Sequence, residues 1–482
     1  MKNVSSMRGF VSLCCVGVLL AGCAPRPDSE NAAEMARVFG ECTFGLNTSA
    51  LNLPTLDASD ERHQIIEQIV QQLISSRYTQ FPWKVKTTVL DSPVPNAFTS
   101  GGGYLAAFSG VYAMADDEAS LAGIIAHELA HMAKSDPIEL AGYLEILLAK
   151  RFEADGLGEY DSGQAIKTVV DFCLAIPGLV SPGWKHDLVD TPNGDVNPTY
   201  SDAAIPYVPF AFSQDPESAY AESVRDPNGV GRVSACNNAE RDAYDEFVVI
   251  NPDYYLETYP DADSLPPIPP DLVAGLGGLP GAGALWDLDP WLQFQHTSFG
   301  RYAECQADEA GIINLMASGY DPLALNASFA RILDLFGGDE KDTDWRFYNH
   351  PSSAQRIEDN LTFIVENNDV FPLLSDLQNE TSPFQSYLVM ADRVADFEAI
   401  RDAARADLLG SARSARNESL KAHHQFQPIT VADLAVRLTT ALAQRATVSG
   451  ADVNQDQLRC SVFSQVYEAL TGKVNNQCLP VD

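Results

Sequence analysis

Apolar residues recur at two different periods along the first third of the chain. Spacings of three and four residues predict helices over Asp60–Ser76 and Asp117–Lys134. Alternating apolar and polar positions predict a strand over Trp83–Leu90 and a second short strand over Tyr104–Ser109, joined by a loop over Asp91–Gly103. This order of elements predicts an α+β fold that is mainly α, with a small sheet or hairpin beside the second helix.

The middle of the chain loses this periodicity. No long amphipathic pattern continues between Val170 and Gly300, and 16 of the 29 prolines lie between residues 153 and 299. The same stretch has 24 acidic and five basic residues, which gives a local net charge of −19. Its apolar and aromatic content argues against a purely disordered linker. We therefore predict a long, irregular, acidic and proline-rich insertion over residues 153–295.

Helical patterns return after the insertion. Apolar spacing predicts a helix over Arg301–Ala317 that ends at Gly319. Further helical patterns cover Val431–Arg445 and Asp456–Leu470. The sequence therefore predicts a helical C-terminal domain over residues 373–482.

The N-terminal segment resembles a bacterial lipoprotein signal. Positive charges at Lys2 and Arg8 precede an apolar run over Phe10–Leu20, and Leu-Ala-Gly then leads directly to Cys23. The apolar run is too short for a transmembrane helix. The resemblance implies that residues 1–22 are a signal peptide and that Cys23 is lipidated.

The residues after Cys23 suggest a tether. Residues 23–57 contain Pro, Asn and Ser and predict a lipid-anchored tether with a short helix around Ala32–Phe39. By analogy with lipoproteins, Ala24 after the lipidated cysteine favours the outer membrane. We therefore expect a protein anchored at the periplasmic face of the outer membrane, which contacts the membrane through its N-terminal lipid only.

Charge and cysteine content narrow the classes further. The 31 Lys and Arg residues against 66 Asp and Glu give a net charge of −35, which excludes a nucleic-acid partner because phosphate binding requires basic patches. Six cysteines remain after the signal and the lipidated residue, and in an oxidising compartment they predict up to three disulfides. The 15 alternative pairings stay open. The six are Cys42, Cys173, Cys236, Cys305, Cys460 and Cys478.

An HExxH motif lies inside the second predicted helix. His127 and His131 are four residues apart, so both imidazoles project from one helix face and can bind one metal ion. Glu128 stands beside them and can activate a water molecule. A catalytic zinc site also needs a third protein ligand. The Glu304-Cys305-Gln306-Ala307-Asp308 segment offers one in Glu304, while Asp308 can accept a hydrogen bond from a ligand imidazole.

Several short motifs occur in the order found in one group of metallopeptidases. The chain resembles gluzincins of the HtpX, BepA and CAAX prenyl endopeptidase type, and among these the periplasmic or lipid-anchored members. The match covers about residues 60–145 and 295–365. The motifs are Asn96-Ala97-Phe98, Gly101-Gly102-Gly103-Tyr104-Leu105, His127-Glu128-Leu129-Ala130-His131, Glu304 to Gly311, Gly319-Tyr320-Asp321-Pro322 and His350-Pro351-Ser352-Ser353 with Arg356.

This resemblance implies a gluzincin domain over residues 58–372, interrupted by the insertion, and one Zn²⁺ per chain. It implies that His127, His131 and Glu304 bind zinc. It also implies that Glu128 is the general base and then the proton donor, and that Asp308 supports a ligand histidine by accepting its hydrogen bond.

The resemblance also assigns residues that contact the substrate. His350 would stabilise the oxyanion or occupy the open zinc position, although a histidine before a proline at a helix start is also an ordinary structural residue. Arg356 would either orient the substrate or bridge to an acid. The edge strand for an extended peptide would come from Gly101–Ser109. The substrate-binding residues on this reading are Asn96, Gly102, Gly103, Tyr104 and Leu105 with Arg356.

These observations predict a zinc endopeptidase that hydrolyses unfolded or misassembled envelope proteins, in quality control or in outer-membrane protein assembly. The outer-membrane assembly machinery is a further expected partner. One alternative is a chaperone-like assembly factor with a latent zinc site, because the long insertion lies between the two metal-binding segments. Another is a structural lipoprotein that keeps the motif without metal.

Overall fold

A computed structural model describes residues 29–75, 81–134, 138, 164–181, 290–336, 353–367, 391–413, 428–449, 454–475 and 477–479. Three strands and ten α-helices lie in this part of the chain, with a 3₁₀ helix over Ser109–Met114. The strands are β1 (Lys86–Leu90), β2 (Ala97–Gly101) and β3 (Tyr104–Phe108). The helices are α1 (Ser29–Leu51), α2 (Glu61–Ile74), α3 (Glu118–Lys134), α4 (Gln164–Ala175), α5 (Pro290–Ala317), α6 (Ala324–Phe336), α7 (Ser353–Glu366), α8 (Ala391–Arg413), α9 (Val431–Ser449) and α10 (Gln455–Thr471).

The mainly helical α+β architecture with a small sheet confirms the expected fold class at that level. The sheet has the order β1-β3-β2. β3 is parallel to β1, with Lys86 opposite Tyr104, and antiparallel to β2, with Ala97 opposite Ala107. All five residues of β3 are buried. β3, the strand that directly precedes the HExxH helix α3 in the chain, is therefore the central strand of the sheet.

Helices cover both faces of this sheet. Alternate residues of β3 point to opposite faces, and Tyr104 and Phe108 share one face with Phe98 of β2. On that face Phe44 of α1 packs with ring-centroid distances of 5.4 Å to Tyr104 and 6.4 Å to Phe98. Helix α2 contacts β1, and α3 contacts β2. The metal helix is thus fixed directly against the sheet.

The N-terminal helix corrects the expectation of a tether over residues 23–57. Helix α1 spans 23 residues, and Phe39, Cys42 and Leu46 are fully buried. The structure extends the helix expected around Ala32–Phe39 through Gly40, although glycine has a low helix propensity. In the structure a Cβ at Gly40 would lie 2.2 Å from the carbonyl oxygen of Gly101. Gly40 therefore permits close packing and does not end the helix.

The turn between β2 and β3 gives a stability prediction. Gly102 has φ of +58°, and a Cβ there would lie 2.3 Å from the carbonyl oxygen of Ala36. We expect Gly102→Ala to lower the free energy of unfolding by at least about 2 kcal/mol, because positive φ and the clash with α1 both oppose it. Urea unfolding should measure the loss.

Gly178→Ala is the matched control for this change. Gly178 has φ of +86°, but a Cβ there would meet nothing within 4 Å. It therefore reports the strain of positive φ without a clash. Equal losses in the two variants would show that contact with α1 does not constrain the turn.

Two complete disulfides lie within the described residues, and one of them joins two helices that are far apart in the sequence. Cys42 of α1 bonds to Cys173 of α4, and Cys460 bonds to Cys478. Cys305 is disulfide-bonded as well.

Helix α4 lies within the segment expected to be an irregular insertion, and α5 already begins at Pro290. Residues 153–295 therefore include regular helix at 164–175 and at the start of α5.

The C-terminal helices pack against the rest of the protein. Helix α9 contacts α4, and α10 contacts α1. Helix α8 reaches the segment before the metal helix, where Arg405 donates to the carbonyl oxygens of Ala113 at 3.1 Å and Ala115 at 3.0 Å. Arg401 donates to the carbonyl oxygen of Asp116 at 2.7 Å. Residues from the expected C-terminal domain thus contact the segment that leads into α3.

Over the residues that the structure describes, every helix is too short or too polar to cross a bilayer.

Candidate metal centre

Helix α3 carries both histidines of the HExxH motif. It begins at Glu118, one residue after the predicted start, where the carboxylate of Asp117 accepts a hydrogen bond from the backbone N–H of Ser120 at 2.8 Å. His127 and His131 lie one turn apart, with 9% and 12% of their side-chain surface exposed. Their rings meet edge to face at a centroid distance of 4.5 Å. One face of α3 therefore presents both imidazoles at a nearly buried position.

Helix α5 packs against α3 and supplies the carboxylates. The contact includes four buried alanines that form a small cluster between the helices. Small side chains allow two helix backbones to approach closely. As a result Glu304, which is far from the motif in sequence, lies beside both histidines. The alanines are Ala130, Ala133, Ala307 and Ala310.

Three ligand atoms converge in this contact. The Nε2 atoms of His127 and His131 are 3.0 Å apart. The carboxylate oxygens of Glu304 lie 3.2 Å from the first and 3.3 Å from the second. Nitrogen and oxygen ligands at 2.0–2.1 Å from one tetrahedral zinc would be about 3.3 Å apart. The donor set and its spacing therefore fit zinc, with His127, His131 and Glu304 as the residues that would hold it.

Asp308 and Arg356 contact the candidate ligands His127 and Glu304. The carboxylate of Asp308 lies 2.8 Å from Nδ1 of His127, so that nitrogen donates and Nε2 is left with its lone pair toward the ligand cluster. Arg356 of α7 donates to both Asp308 oxygens, from Nε at 2.7 Å and from Nη2 at 2.6 Å. Its Nη1 is 3.4 Å from Glu304. Of the two roles considered for Arg356, the structure favours the bridge to an acid.

Asp308, Arg356 and His127 are buried together, so the pKa of each depends on the charges of the others. Burial raises the pKa of Asp308, but the guanidinium of Arg356 outweighs it and the pKa lies below its ordinary range. Burial lowers the pKa of Arg356, but Asp308 outweighs it and the pKa is raised. Burial also lowers the pKa of His127, whereas the hydrogen bond and charge of Asp308 raise it above the usual value. Asp308 and Arg356 therefore form a charged pair.

Glu128 lies on the same helix next to His127. It is partly exposed, and its charge contributes to the raised pKa of Arg356. Its charge therefore acts on Arg356, which contacts both Glu304 and Asp308. A partly exposed carboxylate beside a metal site can exchange protons with water and substrate.

The strand-addition role expected for Gly101–Ser109 is contradicted. Both edges of β3 are paired within the sheet, so Tyr104 and Leu105 cannot offer their backbone to a substrate. Gly102 and Gly103 form the turn before β3, where Gly102 approaches α1 and Gly103 approaches the backbone of Lys84. Sequence periodicity identifies a strand, but strand order depends on contacts distant in sequence. The outer strand beside α3 is β2.

Of the remaining predicted residues, Asn96 lies in the described part of the chain and the others lie outside it. Asn96 lies just before β2, where its carbonyl oxygen accepts a hydrogen bond from the backbone of Phe108 at 2.8 Å. Its contact with substrate stays a prediction. His350, Cys23 and Cys236 lie outside the described residues.

Two contacts near the candidate metal ligands were not predicted from the sequence. The guanidinium carbon of Arg356 lies 4.1 Å from the ring centroid of Phe329 on α6, a cation–π contact that holds the arginine in place. Lys134 donates to the side-chain oxygen of Gln306 at 3.0 Å. Neither pair has a sequence signal, because the partners are on different helices and follow no fixed spacing.

Comparisons with known proteins agree with this site. Residues 59–170 match the model of Peptidase family M48. Over 79 residues the chain is 37% identical to the mitochondrial metalloendopeptidase OMA1 of Danio rerio, which covers 15% of this chain and 16% of that protein. The chain thus spans under a fifth of that relative. The matched family segment contains His127 and His131 but not Glu304. The chain is therefore similar to M48 peptidases over the segment that carries the HExxH motif.

Proposed function

We propose that this protein is a zinc-dependent endopeptidase, a member of the periplasmic, lipid-anchored type of M48 peptidase. The triangle of His127, His131 and Glu304 is the observation that carries the proposal, because its donor atoms lie 3.0–3.3 Å apart. Two imidazoles and one carboxylate, with a further position open, are the usual ligand set of catalytic zinc in peptidases.

The residues around the triangle have distinct tasks in peptide hydrolysis. Bound zinc would polarise the scissile carbonyl and make a water molecule more acidic. Glu128 accepts a proton from the attacking water on its carboxylate and then returns it to the leaving nitrogen. Asp308 holds the proton on Nδ1 of His127, so Nε2 keeps its lone pair. Arg356 keeps Asp308 ionised and in place.

The substrates in this proposal are unfolded or misassembled envelope proteins, and the cellular role is quality control or assembly at the outer membrane. Two features support it. The N-terminus resembles a lipoprotein signal that ends at Cys23. Five of the cysteines after it are disulfide-bonded, which is typical of an oxidising compartment such as the periplasm. The outer-membrane assembly machinery is the proposed partner, and the lipid is the proposed contact with the membrane.

Metal analysis tests the proposed activity. We expect the purified protein to contain one zinc per chain and to cleave an unfolded protein such as casein. A chelator should abolish cleavage, and added zinc should restore it. The control is His63→Ala, because His63 lies on α2 and contacts the carbonyl oxygen of Leu56. His131→Ala should lose zinc and activity together, whereas His63→Ala should keep both. Cleavage by a metal-free protein would contradict the proposal.

A further inference from the structure

Besides the contacts of the ligand side chains, α3 and α5 meet through Gly311 and through a hydrogen bond between Lys134 and Gln306. We infer that Gly311 sets the distance between α3 and α5, and that the Lys134–Gln306 hydrogen bond sets their register along the helix axes. These three would then be positioning residues for the metal centre. This inference rests on the proposed zinc site, and its test separates the two.

Gly311 lies against the backbone of His127, one of the three candidate metal ligands. It follows Glu304 by seven residues and Asp308 by three, so all three lie on the same side of α5. A Cβ at Gly311 would lie 3.2 Å from the backbone nitrogen of His127 and 3.3 Å from its Cα. A methyl group there requires α3 to move away by a few tenths of an ångström. That movement would separate Nε2 of His127 from the carboxylate of Glu304.

The Lys134–Gln306 hydrogen bond acts at the other end of the contact. Lys134 follows His131 by three residues, and Gln306 follows Glu304 by two. Both residues are buried, with 7% and 6% of their surface exposed. A buried ammonium group loses hydration, so its hydrogen bonds are costly to break. The 3.0 Å bond between Nζ and the amide oxygen therefore opposes sliding of α3 along α5.

The Gly311 contact and the Lys134–Gln306 hydrogen bond affect the distances between the two histidines and Glu304 in different ways. A wider helix separation would lengthen both histidine-to-Glu304 distances, whereas a shift in register would lengthen one and shorten the other. The Asp308–Arg356 pair acts separately, because it orients the ring of His127 from α7. We therefore expect changes at Gly311 and Lys134 to alter metal affinity and ligand geometry without removing a ligand.

The test uses Gly311→Ala and Lys134→Met in the full chain, with Lys134→Arg as the conservative variant. Gly410→Ala is the control, because a Cβ there would meet nothing within 4 Å. Zinc affinity is measured by competition with a chromophoric chelator, and geometry by the visible spectrum of the Co²⁺ form. We expect Gly311→Ala and Lys134→Met to bind zinc about 10–100-fold more weakly, with altered Co²⁺ spectra. Lys134→Arg should recover most of the affinity.

Thermal unfolding of the chelated proteins separates positioning from folding. Wild-type affinity and an unchanged Co²⁺ spectrum in both variants would overturn the inference, whether or not their melting temperatures fall. If Gly311→Ala fails to fold, the comparison of Lys134→Met with Lys134→Arg decides, and equal affinities would overturn the inference. Failure of the wild-type protein to bind zinc would instead overturn the proposed function.

Discussion

Replacing Glu128 by glutamine is expected to lower the rate of casein cleavage by about 10³-fold, within the range that general acid–base catalysis contributes. Glutamine has nearly the same shape as glutamate but cannot accept the proton of the attacking water at neutral pH. The three atoms that would bind zinc belong to His127, His131 and Glu304. The variant should therefore retain its zinc, and an initial-rate assay with metal analysis on the same sample tests both expectations.

A second acidic residue on α3 provides the control. Glu118 lies in the first turn of the helix, where it accepts a hydrogen bond from the hydroxyl of Tyr320 at 3.0 Å. Glu118→Gln makes the same chemical change on the same helix but away from the ligand triangle. We expect its cleavage rate to stay within about twofold of wild type, since an amide oxygen still accepts this hydrogen bond. Undiminished proteolysis by Glu128→Gln would remove the assignment of Glu128 as the general base.

Local patterns located the metal helix well. The predicted start of the HExxH helix differs from the structure by one residue, because its apolar spacing and the Asp117 cap are encoded within a few positions. The same holds for β3, which ends one residue before the predicted position. The strand β2 was expected to be a loop, because its Gly and Ser residues have weak strand propensity. Its pairing with β3 stabilises it as a strand.

Contacts between distant segments could not be derived in this way. Glycine has a low helix propensity, yet α1 continues through Gly40 to Leu51, and α5 begins at Pro290 and continues through Gly300. Pro290 at a helix start is favourable, because that position needs no backbone donor. The pairing of Arg356 with Asp308 likewise depends on how α7 packs against α5, and no spacing in the chain specifies it.

The Asp308–Arg356 pair leads to the largest stability effect that we expect. Asp308 is 1% exposed, so Arg356→Met would leave a buried carboxylate without its guanidinium partner. Removing one partner of a buried ion pair typically costs about 3–5 kcal/mol. We expect urea unfolding at pH 8 to show a loss of this size, together with weaker zinc binding. Arg331→Met is the control, because its partner Asp116 is 46% exposed, and such pairs contribute at most about 1 kcal/mol.

The pH dependence of the loss distinguishes an uncompensated charge from lost packing. In the wild type the pKa of Asp308 is depressed, so its contribution to stability is present above its unfolded pKa and is lost only when the pH falls through the folded value. Without Arg356, only the hydrogen bond and charge of His127 oppose the effect of burial on the pKa of Asp308. We expect burial to outweigh them and to raise the folded pKa above the unfolded one, so the variant should lose stability as the pH rises between the two. The deficit measured in metal-free protein should therefore be smaller at pH 5 than at pH 8.

The double variant Asp308→Asn with Arg356→Met removes both charges of the pair at once. If the cost of Arg356→Met comes from the isolated carboxylate, the double variant should recover at least half of the lost unfolding free energy. It should not recover wild-type zinc affinity, since an asparagine side chain is a weaker acceptor for Nδ1 of His127 than a carboxylate. Equal stability of the single and double variants, with a loss independent of pH, would show that Arg356 acts by packing against Phe329 and not as the counter-charge of Asp308.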